Sequence, residues 1–86
     1  VMVVPLDVTD EAAIREAFAG VAREGDGLDL LVNNAGVAET ASALDTQLSG
    51  FDRVMEVNLR GVWACAVEAA RLMRPRGGDI VNIASI

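Results

Sequence analysis

Four places in this chain have the residue types and spacing to do chemistry. Asn33-Asn34-Ala35-Gly36 follows the apolar run Leu28-Asp29-Leu30-Leu31-Val32. Two amides at a strand end can tie neighbouring strand ends together, because each carries both donors and an acceptor. The Ala-Gly that follows removes side-chain bulk, so a flat ligand could approach the backbone. The same four residues equally suit an ordinary turn, where Asn and Gly are favoured for conformational reasons. Asn58 is the one polar side chain within the apolar stripe of a long helical pattern. A buried amide costs stability unless its hydrogen bonds are met, so Asn58 needs partners, and neighbouring backbone could supply them. Ser85 closes the last apolar run; no nucleophile motif surrounds it, which leaves hydrogen bonding as its chemistry. Asp7 closes the first run and stands beside a helix start. In open parallel sheets ligands bind outside the carboxyl ends of the strands. Asp7, the Asn33–Gly36 turn and Ser85 would lie at three such ends.

The elements that must position these groups can be read from the apolar pattern. Val1-Met2-Val3-Val4-Pro5-Leu6 is a continuous run of the kind found in strands buried on both faces, with Pro5 favouring a sheet edge. Thr9 or Asp10 can cap the helix that follows, and Asp10 and Glu11 suit the positive end of its dipole. Ala13, Ile14, Ala17, Phe18 and Val21 recur at three- and four-residue steps, which predicts an amphipathic helix over residues 10–24, ended by Gly25-Asp26-Gly27. Residues 28–32 form a second buried strand. A polar linker then runs to about Thr46. From there to Arg74 the spacing predicts one helix of about 28 residues, about 40 Å long. Its inner stripe is Phe51, Met55, Val62, Ala66, Ala69 and Met73, with Asn58 on the same face. Trp63 and Cys65 read as packing residues. Arg74 and Arg76 read as helix-end charges rather than a phosphate site, and Pro75 and Gly77-Gly78 stop the helix. Residues 79–83 begin a third strand. Gly61 costs roughly 1 kcal/mol against Ala inside a helix, which points to close packing of another backbone there.

Composition narrows the functional classes. The 86 residues carry 13 acidic and 7 basic side chains, a net charge of -6, with no basic face for nucleic acid. No apolar run is long enough to span a bilayer, and the opening residues do not have the pattern of a secretory signal. With no histidine, a histidine triad or histidine-ligated metal site cannot be built, and no metal site is expected. The single Cys65 excludes an intrachain disulfide and makes the cytoplasm the default setting. The chain opens at Val1 and ends at Ile86 inside apolar runs, so it is expected to be an internal piece of a longer protein.

Several segments, in register, carry a family resemblance over essentially the whole chain. Asn33-Asn34-Ala35-Gly36 after an apolar strand resembles the NNAG motif of short-chain dehydrogenases/reductases. Asp7-Val8-Thr9-Asp10 is similar to that family's DVTD segment, Val57-Asn58-Leu59-Arg60-Gly61 to its VNLxG segment, and Gly78 through Ser85 to its GxIVNIxS strand. Ala84 stands where relatives often carry a second Ser.

The resemblance implies a function and a set of roles. The function is hydride transfer between the nicotinamide of NAD or NADP and an alcohol or ketone, with 3-oxoacyl-carrier-protein reductases among the similar enzymes. Asp7 and Val8 would hold the adenine ring, and Asn34, Ala35 and Gly36 would line the cofactor. Asn58 would hold a water leading to a catalytic lysine, and Ser85 would bond to the substrate oxygen. The family moves its proton through the tyrosine of a YxxxK motif, and this chain contains neither Tyr nor Lys. The implied parent is a homodimer or homotetramer touching neither membrane nor nucleic acid. A second reading is a relative that binds a dinucleotide without catalysis and regulates a partner; loss of YxxxK would mark it.

The expected fold is α/β: a partial, Rossmann-like, doubly wound parallel sheet in the order β-α-β-α-β, corresponding to strands 3, 4 and 5 of the order 3-2-1-4-5-6. Residues 1–86 would be an incomplete nucleotide-binding domain. It lacks the glycine-rich first βαβ unit and the Tyr-Lys and substrate-binding part. Strands 1 and 2 of that order would separate the first run from the other two, so these residues alone are expected neither to fold cooperatively nor to turn over substrate.

Overall fold

The computed structural model describes residues 3–25, 27–38 and 41–83. Helix α1 (Glu11–Glu24) begins where the acidic pattern places it. The Asp10 side chain accepts from the Ala13 N–H at 3.1 Å, satisfying one of the free donors of the first turn. Just ahead, Asp7 Oδ1 accepts from the Thr9 N–H at 2.9 Å and from the Thr9 hydroxyl at 2.8 Å. The Asp7 carbonyl takes the Asp10 N–H at 3.1 Å, so the chain turns sharply into the helix. Glu11 and Arg15 pair one turn apart on its surface.

Strand β1 (Leu30–Asn33) and strand β2 (Asp79–Asn82) form a two-stranded parallel sheet, Leu30 opposite Asp79 and Asn33 opposite Asn82. The ladder extends at both ends, through Asp79 N–H to the Asp29 carbonyl and Ile83 N–H to the Asn33 carbonyl, each 2.9 Å. Between the strands runs a continuous helical rod: α2 (Leu48–Met55), a π-helical segment (Glu56–Gly61) and α3 (Val62–Met73). Gly77, at a φ of 81°, lets the chain leave α3 with its N–H on the Met73 carbonyl, 2.6 Å away. Gly78 then passes so close that a Cβ there would meet Met73 Sδ at 2.7 Å and the Asp29 carbonyl at 2.9 Å.

The core lies where α1 packs on α3 and α3 packs on β1. Ile14, Cys65, Ala69 and Met73 are its buried apolar residues, and burial pushes the Cys65 thiol pKa up. No helix among the described residues is long and apolar enough to cross a membrane.

Four expectations are corrected. Residues 3–6 are exposed and join no strand, because no ladder partner lies beside them among the described residues. The two strands that do form are not buried on both faces: Leu30 and Val32 are about half exposed, since α3 covers only the face bearing Leu31 and Asn33. The inner stripe of the long helix is Gly61, Cys65, Ala69 and Met73 rather than one starting at Phe51 and Met55, which are exposed. The π segment places extra residues in its turn and so rotates the stripe between the two halves of the rod. Trp63, 68 % exposed, is not a core residue among the described residues.

Candidate functional site

Parallel pairing in register brings two amides face to face at the carboxyl end of the sheet. Asn33 Nδ2 donates to Asn82 Oδ1 at 3.0 Å, and Asn33 is the buried polar residue of the described chain. The first amide of the Asn-Asn pair thus ties strand ends together, as its type and position suggest. Its bond fixes where β1 stops and where the backbone of Asn34, Ala35 and Gly36 departs.

Asn58 comes to the same place from the helical rod. Its Oδ1 accepts from the Val37 N–H at 2.9 Å, and its Nδ2 donates to the Val37 carbonyl at 2.7 Å. One amide therefore satisfies both backbone groups of the residue after Gly36, which holds the turn as a short strand partner would. The expectation that Asn58 needs partners is met by backbone. The expectation that it is buried is not, because it stands on the exposed side of the π segment. Gly36 lies against the same amide: a Cβ there would sit 3.4 Å from Asn58 Oδ1, in contact without overlap.

Asn34, Ala35, Gly36, Val37, Asn58 and Asn82 line a cavity of about 620 Å³ at the carboxyl ends of β1 and β2. That volume falls within the range of small-molecule and cofactor sites, and the position is the one where open parallel sheets bind ligands. Its walls join amide groups to the apolar Val62 and Ile83, suiting a ligand with a flat ring and a few hydrogen-bonding atoms.

The remaining candidates lie apart from that cavity. Asp7 and Val8 do not line it. They sit in the turn before α1, where the Thr9 backbone N–H and then its hydroxyl hold the Asp7 carboxyl below its ordinary pKa. Val8 packs on the rod: a Cβ added to Gly61 would stand 2.8 Å from Val8 Cγ2 and 3.1 Å from the Val8 carbonyl oxygen. Gly61 thus marks a close backbone approach, as its cost in a helix implied. Ser85 lies outside the described residues. Arg76, read as a helix-end charge, reaches Asp29 at 3.4 Å.

Asn82 was not singled out by sequence reasoning, although a signal existed. Both strands end in Val-Asn or Val-Asn-Ile at matching positions, Val32-Asn33 and Val81-Asn82, and in-register parallel pairing sets those amides opposite each other. Val37 carried no such signal, since its role depends on its backbone.

The chain matches, over residues 1–86, the family model described as enoyl-(acyl carrier protein) reductase. It is 41 % identical over 83 residues to the short-chain dehydrogenase virD of Hypocrea virens, covering 95 % of this chain and 29 % of that protein. It is 42 % identical over 81 residues to the inactive 2-(S)-hydroxypropyl-CoM dehydrogenase 2 of Xanthobacter autotrophicus, covering 93 % of this chain and 35 % of the relative. Among solved structures, a short-chain type dehydrogenase/reductase from Mycobacterium marinum superposes with a TM-score of 0.90 at 34 % identity, over 95 % of this chain and 34 % of that one. The chain spans about a third of the length of these relatives.

Proposed function

The chain belongs to the short-chain dehydrogenase/reductase family, and on that premise we propose that its full-length parent transfers hydride between the nicotinamide of NAD or NADP and an alcohol or ketone. The observation that carries this reading is the cavity at the carboxyl ends of β1 and β2, bounded by Asn34, Ala35 and Gly36 and held open by the two bonds from Asn58 to Val37. In the parent, β1 and β2 would be strands 4 and 5 of the order 3-2-1-4-5-6, and residues 1–86 would be the central part of the nucleotide-binding domain.

The residues present fit a dinucleotide. The small side chains at Ala35-Gly36 leave the cavity wall open to a flat ring that a larger side chain would exclude. Bound there, the nicotinamide would give or accept the hydride. Asn34, Ala35 and Gly36 would orient it, while Asp7 and Val8 would hold the adenine end. Ser85 would donate a hydrogen bond to the substrate oxygen, and Asn58 would hold a water on the proton path. The proton itself needs a group from outside these residues, since the chain has no Tyr or Lys. A phenol titrates near ~10 and needs a neighbouring cation to act near neutral pH.

Two further parts of the reading rest on the resemblance. The parent would assemble as a dimer or tetramer through the helical rod, whose Leu48, Phe51, Leu59 and Trp63 are more than half exposed. It would work in the cytoplasm, on small alcohols or ketones, with 3-oxoacyl thioesters as one substrate class to try.

The test is direct. The purified full-length protein is mixed with NADH or NADPH and a panel of ketones, and the nicotinamide absorbance is followed. Turnover is expected, and Ser85→Ala should lower kcat by about 100-fold, as removing a donor to a reacting oxygen does elsewhere. A parent that binds the dinucleotide but turns over no substrate would favour the second reading, a binding module. The resemblance to a relative named inactive supports keeping that alternative.

A further inference from the structure

The π segment touches both turns assigned above to the ligand, one from near its middle and one from its end. Near its middle, Asn58 holds Val37, the residue after the Asn33–Gly36 turn. At its end, Gly61 is buried against Val8, with no room for a methyl group. Between them, Arg60 Nη1 donates to the Thr9 carbonyl at 3.3 Å, reaching the other side of the Asp7–Thr9 turn. The atoms facing Gly61 are not the yielding ends of a long side chain. They are the stiff, β-branched Val8 and its own carbonyl.

We infer that Gly61 and Arg60 are positioning residues for the dinucleotide, setting the Asp7–Val8 turn against the rod and hence its placement relative to the Asn33–Gly36 turn. The inference rests on the function proposed above and deepens it. Neither residue lines the cavity at the strand ends. Their effect passes through Val8 and Thr9 to the adenine end of the ligand, leaving the nicotinamide end to the Asn58 clamp. A methyl group at position 61 must move either Val8 or the helix, whereas the bonds from Asn58, three residues earlier, can persist.

The experiment uses the full-length protein with two half-ligands. ADP-ribose probes the adenine end, in its 2′-phosphorylated form if the wild type prefers NADP. Nicotinamide mononucleotide probes the other end. Gly61→Ala is expected to raise the KM for the dinucleotide about tenfold and weaken ADP-ribose equally, with kcat and mononucleotide affinity held within about twofold. Arg60→Gln should raise KM about threefold, and Arg60→Lys should recover part of that loss. Equal weakening of both half-ligands by Gly61→Ala, or an unchanged KM, would overturn the inference. If Gly61→Ala does not fold, the exposed Arg60 decides: an unshifted KM in Arg60→Gln overturns it. A wild type that binds neither NAD(H) nor NADP(H) sinks the proposed function and the inference together. Normal wild-type binding with unshifted variants sinks the inference alone.

Discussion

Residues 3–6 and residues 30–33 make an instructive pair. Val-Val-Pro-Leu and Leu-Leu-Val-Asn have similar apolar content and both stand beside a helix in sequence. The second pairs with β2, buries Asn33 and ends in an amide bond to Asn82. The first pairs with nothing among the described residues and leaves Val3 85 % exposed. Both are mostly apolar and suited to extended backbone, although Pro5 lacks a ladder donor. A neighbour's ladder makes the difference, because strand propensity measures fit to a half-buried pleated surface and an isolated extended segment has no such surface.

The contrast can be broken or sharpened by experiment, starting with the largest effect. Hydrogen exchange on the 86-residue chain alone should show no protection at residues 3–6 and no cooperative unfolding. In the full-length protein those amides should be protected as strongly as β1, because the strand order proposed for the parent supplies a ladder partner on that side. A sharp two-state transition in the isolated chain would remove the basis of the contrast. Next, Gly78→Ala should strain the start of β2 against Met73 and the Asp29 carbonyl. The expected loss is about 1–3 kcal/mol, seen as a lower denaturation midpoint of the full-length protein, with residues 3–6 unaffected. Asn33→Ala removes the amide bond to Asn82 and should cost about 1 kcal/mol, with faster exchange at Ile83 N–H, whose acceptor is the Asn33 carbonyl.

The smallest effect belongs to the turn after residues 3–6. The two Thr9 donors depress the Asp7 pKa in the folded state. Its contribution is therefore present above the unfolded-state value and fades as pH falls through the folded one. Asp7→Asn should lower stability slightly at neutral pH, by an amount that vanishes as pH falls through the folded-state value, so the acid limb becomes less steep. A steeper acid limb in that variant would show that the turn is not held by these bonds.

How far the chain could be read in advance follows from the same physics. The span of α1 and its Asp10 cap were legible because the cap, the acidic first turn and the apolar period all agree. β1 and β2 were legible from their bounded apolar runs, though not the open face that leaves Val32 half exposed. The Asn33 tie and the close approach at Gly61 could be anticipated from residue type. The π segment could not, since Asn58 and Gly61 mark Glu56–Gly61 as unusual without saying that its turn is wider. Missing it put Phe51 and Met55 on the inner stripe. Trp63 was misread for a different reason: periodicity reports that a helix has an apolar side, without saying whether anything covers it.

The two-stranded ladder has one more consequence. β1 and β2 each use one edge on the other, and each leaves the opposite edge without a partner among the described residues. An open edge is a template on which a second copy can add a strand. The isolated 86-residue chain would present those edges to its neighbours in solution. The excess of six negative charges then acts as a brake, since copies that approach edge to edge must also bring like charges together. Raising the salt concentration screens that repulsion, so ionic strength during refolding should govern how much of the protein is lost to aggregates.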